Sequence, residues 1–160
     1  MPPRLAIRHA AARDVPQVVG LLQRHRQDLA KRNAFFWRPS ASAASSSRLY
    51  LRSLLILRRG WMLVAESDAE LLGFAHALPK RVPPVYDPGT RAALVDDFCV
   101  AQPALYDTVG AALLDALGAI LREDGRGLLI VSSACGDEPK AALLRRYGLT
   151  ATSQWWSGQA

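Results

Sequence analysis

Apolar residues recur along this chain in two rhythms, one of period two and one near 3.6, and the switches between them mark its elements. Residues 5–9 alternate as a strand should. Asp14, Val15 and Pro16 read as a helix start, aspartate at the N-cap and proline in the first turn, and Val18, Val19, Leu21, Leu22 and Leu29 continue it at helical spacing. The stretch 39–47 sets Ser40, Ser42, Ser45 and Ser46 among alanines and predicts a mobile loop. A second helix over 48–59 follows, closed by Gly60. Two β-type runs, 61–66 and 71–78, flank a polar turn at 67–70 and predict an antiparallel hairpin.

Pro83, Pro84, Asp87, Pro88 and Gly89 punctuate a long connection into a strand at 92–100. In the helix predicted over 109–122, Leu113, Leu117, Ile120 and Leu121 stand at i, i+4, i+7 and i+8, so one face must be buried. The continuous apolar run 127–132 predicts a strand covered on both faces. Glu138 and Pro139 open a last helix that Gly148 stops, and the aromatic segment 150–156 reads as a final strand. The order is β-α-α-β-β-β-α-β-α-β without internal repeat, an α/β chain with a mixed sheet and a single domain over 1–160.

A hydrophobic content of 50% and a mean hydropathy of +0.04 exclude the disordered and fibrous classes. The formal charge of +6 invites a nucleic-acid partner. Its distribution argues against one: the basic residues are scattered along amphipathic stretches, as at Arg24, Arg26, Lys31 and Arg32, and no aromatic-interleaved basic block appears. Cys99 and Cys135 lack paired spacing, and His9, His25 and His76 show no ligand-like spacing, so neither a disulfide framework nor a metal site is expected. The opening residues resemble no leader, and no apolar run reaches about 18 residues. These observations predict a cytoplasmic protein with no membrane partner.

The sharpest feature is the strand at 92–100, where Asp96 and Asp97 interrupt an apolar sequence. Burying an ionised carboxylate costs several kcal/mol unless it is paired or has a task. A short loop then leads through Gly110 into a helix, and unpaired amides at a helix N-terminus form a natural cradle for phosphate. Successive strand residues point to opposite faces, so Asp96 and Asp97 share a cleft only if a bulge intervenes.

With Asp87-Pro88 ahead of it, Asp96-Asp97-Phe98-Cys99-Val100 at its centre and Glu138-Pro139 after it, the chain resembles the GNAT superfamily of acetyl-CoA-dependent N-acetyltransferases. Within it the motifs look most like the polyamine and thialysine acetyltransferase branch. The resemblance implies a splayed sheet with acetyl-CoA between the acidic strand and the strand near 128–132. It further implies main-chain contacts from Phe98, Cys99 and Val100 to the cofactor arm, and a pyrophosphate cradle at Thr108, Val109, Gly110 and Ala111. Asp137 takes a place where the branch contacts the arm, or is the N-cap of the last helix. Asp96 is the expected general base or cation holder, with Asp97 as second candidate; either is alternatively a carboxylate satisfied by an arginine or an amide. Gly110 is alternatively a simple turn glycine. The implied activity is acetyl transfer to a primary amine, a small cationic or amino-acid-like acceptor. Dimers are common in the branch, and Trp155 and Trp156 suit a homodimer interface or an acceptor pocket.

Two departures from the family pattern stand out. The cradle usually reads Arg/Gln-x-x-Gly-x-Gly/Ala, whereas this chain has Leu105, Tyr106, Asp107, Thr108, Val109 and Gly110, a degenerate loop. Like charges at ~4 Å and an effective dielectric near 20 repel by about 4 kcal/mol, so Asp107 must point away from any phosphate. The family's thiolate-protonating tyrosine corresponds to Leu144, which cannot donate a proton, leaving Tyr147 as the catalytic candidate on that helix. The altered loop and Leu144 together support a rival expectation, a non-catalytic binding module with weakened or lost acetyl-CoA use.

Overall fold

The computed structural model describes residues 5–159; Met1 to Arg4, on which the expectation of no leader rests, and Ala160 lie outside the described residues. Its elements are β1 Ala6–His9, α1 Val15–Arg32, α2 Ala43–Leu57, β2 Trp61–Ser67, β3 Glu70–Lys80, β4 Arg91–Val100, α3 Val109–Glu123, β5 Arg126–Val131 and α4 Glu138–Arg146. The five strands form one sheet in sequence order, antiparallel from β1 to β4 and parallel between β4 and β5. The mixed α/β class and the first nine elements agree with the sequence pattern.

Apolar layers cover both faces of the sheet. Leu113, Leu114, Leu117 and Leu121 of α3 bury against Ala75, Ala77, Ala93, Val95 and Phe98. On the other face α1 and α2 set Val18, Val19, Leu22, Leu51 and Leu54 on Val64, Phe74 and Cys99. Each such side chain contributes roughly 1.5–3 kcal/mol when fully buried.

Three expectations are corrected. No strand forms at 150–156, and Trp155 and Trp156 are 84% and 90% exposed. Aromatic β-propensity acts through packing on a neighbouring strand, and among the described residues none pairs with this tail; Trp155 meets Phe36 at 6.2 Å between ring centres. The serine-rich stretch is not all loop: α2 begins at Ala43, where Ser45 donates to the Ser42 carbonyl and Ser47 to the Ala43 carbonyl. These back-bonds let small hydroxyls sit inside a first helical turn. The apolar run of β5 is not covered on both faces, since β5 is an edge strand with most of its residues half-buried. Asp14 holds the expected N-cap position of α1, but its side chain makes no capping bond; its carboxylate takes two bonds from Arg8, at 2.7 and 2.9 Å, and the Ala11 amide at 2.7 Å.

Two irregularities set β4 apart from the other strands. Its register with β3 slips, so that His76 faces Asp97 and Ala77 faces Val95, leaving Asp96 as the extra residue of a bulge. Its pairing with β5 ends at Val95 and Val131, with one further bond from the Ser132 amide to the Val95 carbonyl at 3.0 Å. Beyond that point the ladder gives β4 no partner on its β5 side.

Candidate functional site

Ala93 and Val95 lie on the α3 face of β4, which puts Asp96 on the opposite face; Phe98 returns to the α3 face and Cys99 to the α1–α2 face, so Asp97 shares the side of Cys99. The bulge therefore brings both carboxylates onto the face beneath α1 and α2, the condition the alternation rule sets for a shared cleft. His76 of β3 is directly across from Asp97 and is fully buried, and among the described residues neither ring nitrogen has a partner. Its ring stacks near Phe74 and meets the Tyr50 ring of α2 edge-on at 6.2 Å. A buried polar ring without partners costs about 1–3 kcal/mol, so the fold carries this group at a loss.

The electrostatics divide the pair. Asp96 is exposed, while Asp97 is half-buried. Burial pushes the Asp97 carboxyl above the usual carboxylate range; Arg26 of α1 pulls it back and Asp96 pushes it further. His76 is held below the ordinary imidazole range by burial, with Asp96 opposing, so it stays neutral. His25 of α1 is lowered by burial to about 4. Arg26 also donates to the buried Ser47 hydroxyl at 2.6 Å, which ties α1 to α2 over this face. The result is a carboxyl of raised basicity between a neutral imidazole and an exposed carboxylate.

The second half of the site is the gap where β4 and β5 part. The Ala101 amide bonds the Leu72 carbonyl toward β3 at 2.8 Å, and the Tyr106 hydroxyl reaches the Phe98 carbonyl on the opposite side at 3.4 Å. Alternation then turns the main-chain groups of Phe98 and Val100 into the gap and those of Cys99 toward β3. Cys99 is fully buried, and burial raises its thiol to about 12, so it is an inert core residue whose backbone serves the sheet. The backbone of Cys99 is thus turned away from the gap in which the arm contact was expected, whereas the main chain of Phe98 and Val100 faces it.

At the mouth of the gap, a short 3-10 turn Pro103–Asp107 leads through Thr108 into α3. The first intrahelical bond is Ala112 amide to Thr108 carbonyl, so the amides of Val109, Gly110 and Ala111 are the unpaired first-turn donors. These fit a diphosphate. Thr108 occupies the N-cap position without a side-chain capping bond. Asp107 is neutralised from α4, its carboxylate taking Arg146 at 2.7 Å, which removes the repulsion expected there. An open hollow of about 290 Å³ lies alongside, lined by Pro103, Ala104, Asp107, Glu138, Pro139 and Ala142.

Deeper in the gap the fit to a cofactor arm is closer. Tyr106 is buried, edge-on to Phe98 at 5.6 Å between ring centres, and occupies part of the open edge of β4. A Cβ on Gly110 would come within 2.9 Å of the Tyr106 ring and 3.0 Å of Leu143. Gly110 is thus small so that Tyr106 and Leu143 can close over it, in addition to leaving its amide free. An arm engaging the Phe98 carbonyl must displace one weak hydrogen bond and rotate one tyrosine.

The remaining candidates lie elsewhere. Tyr147 caps the C-terminal end of α4 and donates to the Leu114 carbonyl, 3.1 Å away in the second turn of α3. Its hydroxyl fastens α4 to α3 and is not brought to the gap, which corrects its place among the catalytic candidates. Asp137 sits at the N-cap position of α4, with its carboxylate 3.9 Å from Arg32 rather than on a first-turn amide. Two groups of the site were not predicted: His76 and Tyr106. His76 had a visible signal, a lone polar residue between Phe74 and Leu78 on one face of a strand. For Tyr106 there was none, because only the folded turn shows what it covers.

No family model and no curated protein matches the sequence. Solved structures do. A probable acetyltransferase superposes with a TM-score of 0.71 at 20% identity over 98% of this chain and 96% of that one. A predicted acetyltransferase from Clostridium acetobutylicum, solved with acetyl-CoA, gives 0.73 at 16% identity over 98% and 96%. The fold is the GNAT acetyltransferase fold. An aminoglycoside acetyltransferase from an uncultured soil metagenomic sample, in complex with sisomicin, shares it at a TM-score of 0.66 and 19% identity over 98% and 95%. At these identities the likeness is one of fold, and the side chains of this chain must carry any further argument.

Proposed function

We propose that this chain is an acetyl-CoA-dependent N-acetyltransferase acting on a small cationic primary amine. The observation that carries the reading is the bulge at Asp96, which sets two carboxylates and a neutral imidazole on one face beside the gap in the sheet. Acetyl-CoA, when bound, supplies an acetyl group activated as a thioester. The first-turn amides of Val109, Gly110 and Ala111 hold its diphosphate, and the main chain of Phe98 and Val100 lines its arm. Asp96 attracts and holds the acceptor ammonium. Asp97 takes the proton, because its raised pKa brings it nearer the range useful to a base at neutral pH. Burial keeps the Asp97 carboxyl above its usual range against the pull of Arg26 and Lys140, and neutral His76 across the strand adds no countercharge to that pull. Complexes of fold neighbours with acetyl-CoA and with an aminoglycoside support the two ligand classes. The exposed aromatics Phe35, Phe36, Trp155 and Trp156 support a homodimer, and light scattering that returned a monomer would remove that part.

The test is thermal unfolding with and without millimolar acetyl-CoA, followed by thiol release across polyamines, aminoglycosides and amino acids. A ligand at about 100 times its dissociation constant adds about 2.7 kcal/mol, so a saturable rise in Tm is expected. The second reading, a binding module that has given up the cofactor, is favoured by Tyr106 lying in the gap. Tyr106→Ala separates them: it raises the affinity of a transferase for acetyl-CoA and leaves a module unresponsive.

A further inference from the structure

Lys140 belongs to the first turns of α4, but its side chain is buried, 2% exposed, at the point where β4 and β5 part. Its Nζ donates to the Ser132 carbonyl just past the end of β5 at 3.3 Å and stands 5.4 Å from the centre of the Phe98 ring on β4. One amine therefore spans the gap in the sheet. Among the described residues no carboxylate oxygen lies within 4.0 Å of it. Burial favours its free base, opposed by Asp137, Cys99 and Asp97 in that order.

The residue type adds an independent observation. The chain holds 17 arginines and 3 lysines. Lys31 and Lys80 are on the surface, so the buried cation position is filled by one of the few residues able to give up its proton. Arginine stays charged at any pH a protein meets, whereas a buried lysine deprotonates readily and becomes a nucleophile.

We propose that Lys140 is a self-acylation site: its free amine, bridging the gap between β4 and β5, takes the acetyl group of acetyl-CoA and becomes Nζ-acetyl-lysine. The inference rests on the transferase reading, since it needs the thioester in that gap. The Nζ lone pair forms the new C–N bond, the C–S bond breaks, and the proton lost by Nζ ends on the departing thiol. The product keeps one N–H for the Ser132 carbonyl and can no longer take up a proton in the gap. It also fills the gap, so the reaction stops after one acetyl group per chain.

Incubating the intact protein with acetyl-CoA and mapping acetyl groups by peptide mass spectrometry tests this, with Lys31 and Lys80 as internal references. The expected result is one acetyl group at Lys140, saturable in acetyl-CoA and formed at least about tenfold faster than at either surface lysine, because amine and thioester are held together in one gap. Unfolding the protein first should abolish the preference, and Lys140→Arg should leave the chain unmodified at that position. Thermal unfolding with unacylated CoA keeps the two ideas apart. If CoA raises Tm but Lys140 reacts no faster than Lys31 and Lys80, self-acylation is overturned and the transferase reading stands. If CoA leaves Tm unchanged and no selective adduct forms, both fall. Equal selectivity with acetyl phosphate would also overturn the proposal, because the amine would then be reactive without a CoA site.

Discussion

The two faces of β4 are built from one strand and differ in almost every physical respect. Beneath α3 the strand offers Ala93, Val95 and Phe98 to a layer of leucines, and all three are completely buried. Beneath α1 and α2 the same strand offers Asp96 and Asp97, opposite an imidazole with no hydrogen-bond partner among the described residues. A single extra residue makes the difference. Without the bulge, Asp96 and Asp97 would point to opposite faces, and one carboxylate would enter the leucine layer. One face holds the fold together, and the other is kept polar at a cost in stability. Residues maintained at such a cost cluster where chemistry is done.

The contrast breaks most visibly at Phe98. It is fully buried, touches Tyr106 and lies beneath Lys140. Phe98→Ala should lower the unfolding free energy by about 3–5 kcal/mol, combining lost transfer energy with a cavity that the surrounding sheet cannot close. Urea denaturation with an unchanged m-value is the check. A loss under about 1 kcal/mol would mean that the α3 face is not the stabilising one.

The dry face was legible in the sequence because it follows from periodicity alone. Leu113, Leu117, Ile120 and Leu121 gave the buried stripe of α3, and alternation gave the hairpin of β2 and β3. The acidic strand was legible as an anomaly, but its geometry was not. Whether Asp96 and Asp97 share a face depends on a register slip between His76 and Ala77, a property of two strands together. The tail at 150–156 failed for a related reason: its aromatic composition predicts a strand only if another strand lies beside it. Tyr147 illustrates a third limit, since counting along a helix places a side chain near a site while the contact it makes, here with Leu114, is tertiary. Tyr106 and Lys140 close the gap through contacts spanning three elements, which no local pattern encodes.

A smaller effect of opposite sign sharpens the comparison. His76→Phe keeps a ring in the same place and removes two unsatisfied nitrogens, so it should stabilise the protein by about 1–3 kcal/mol. The gain grows in acid. A histidine whose folded pKa is lowered binds its proton only when unfolded, so wild-type stability falls as pH drops below the ordinary 6.5. His25, lowered to about 4, has the same sign and is present in both proteins, so the difference between variant and wild type isolates His76. Substitution that destabilises by about 1 kcal/mol or more would show that the imidazole has a partner and that this face is not strained.

The smallest effect tests the carboxylate directly, and its pH dependence runs the other way. A folded pKa raised by burial means that the native state holds its Asp97 proton when the unfolded chain has lost it. Stability is therefore lost as pH rises from the ordinary 3.8 through the raised value. Asp97→Asn cannot ionise and escapes that loss. Its Tm should exceed that of the wild type at pH 7 by on the order of a degree or two and converge with it below 3.8. The structure holds its own control in Asp14, whose carboxyl Arg8 keeps below the usual range and which loses its contribution as pH falls. Asp14→Asn should destabilise most at neutral pH, where Asp97→Asn stabilises. If both substitutions destabilised at pH 7, Asp97 would be a satisfied structural carboxylate like Asp14, and the proton acceptor on the polar face would have to be sought at Asp96.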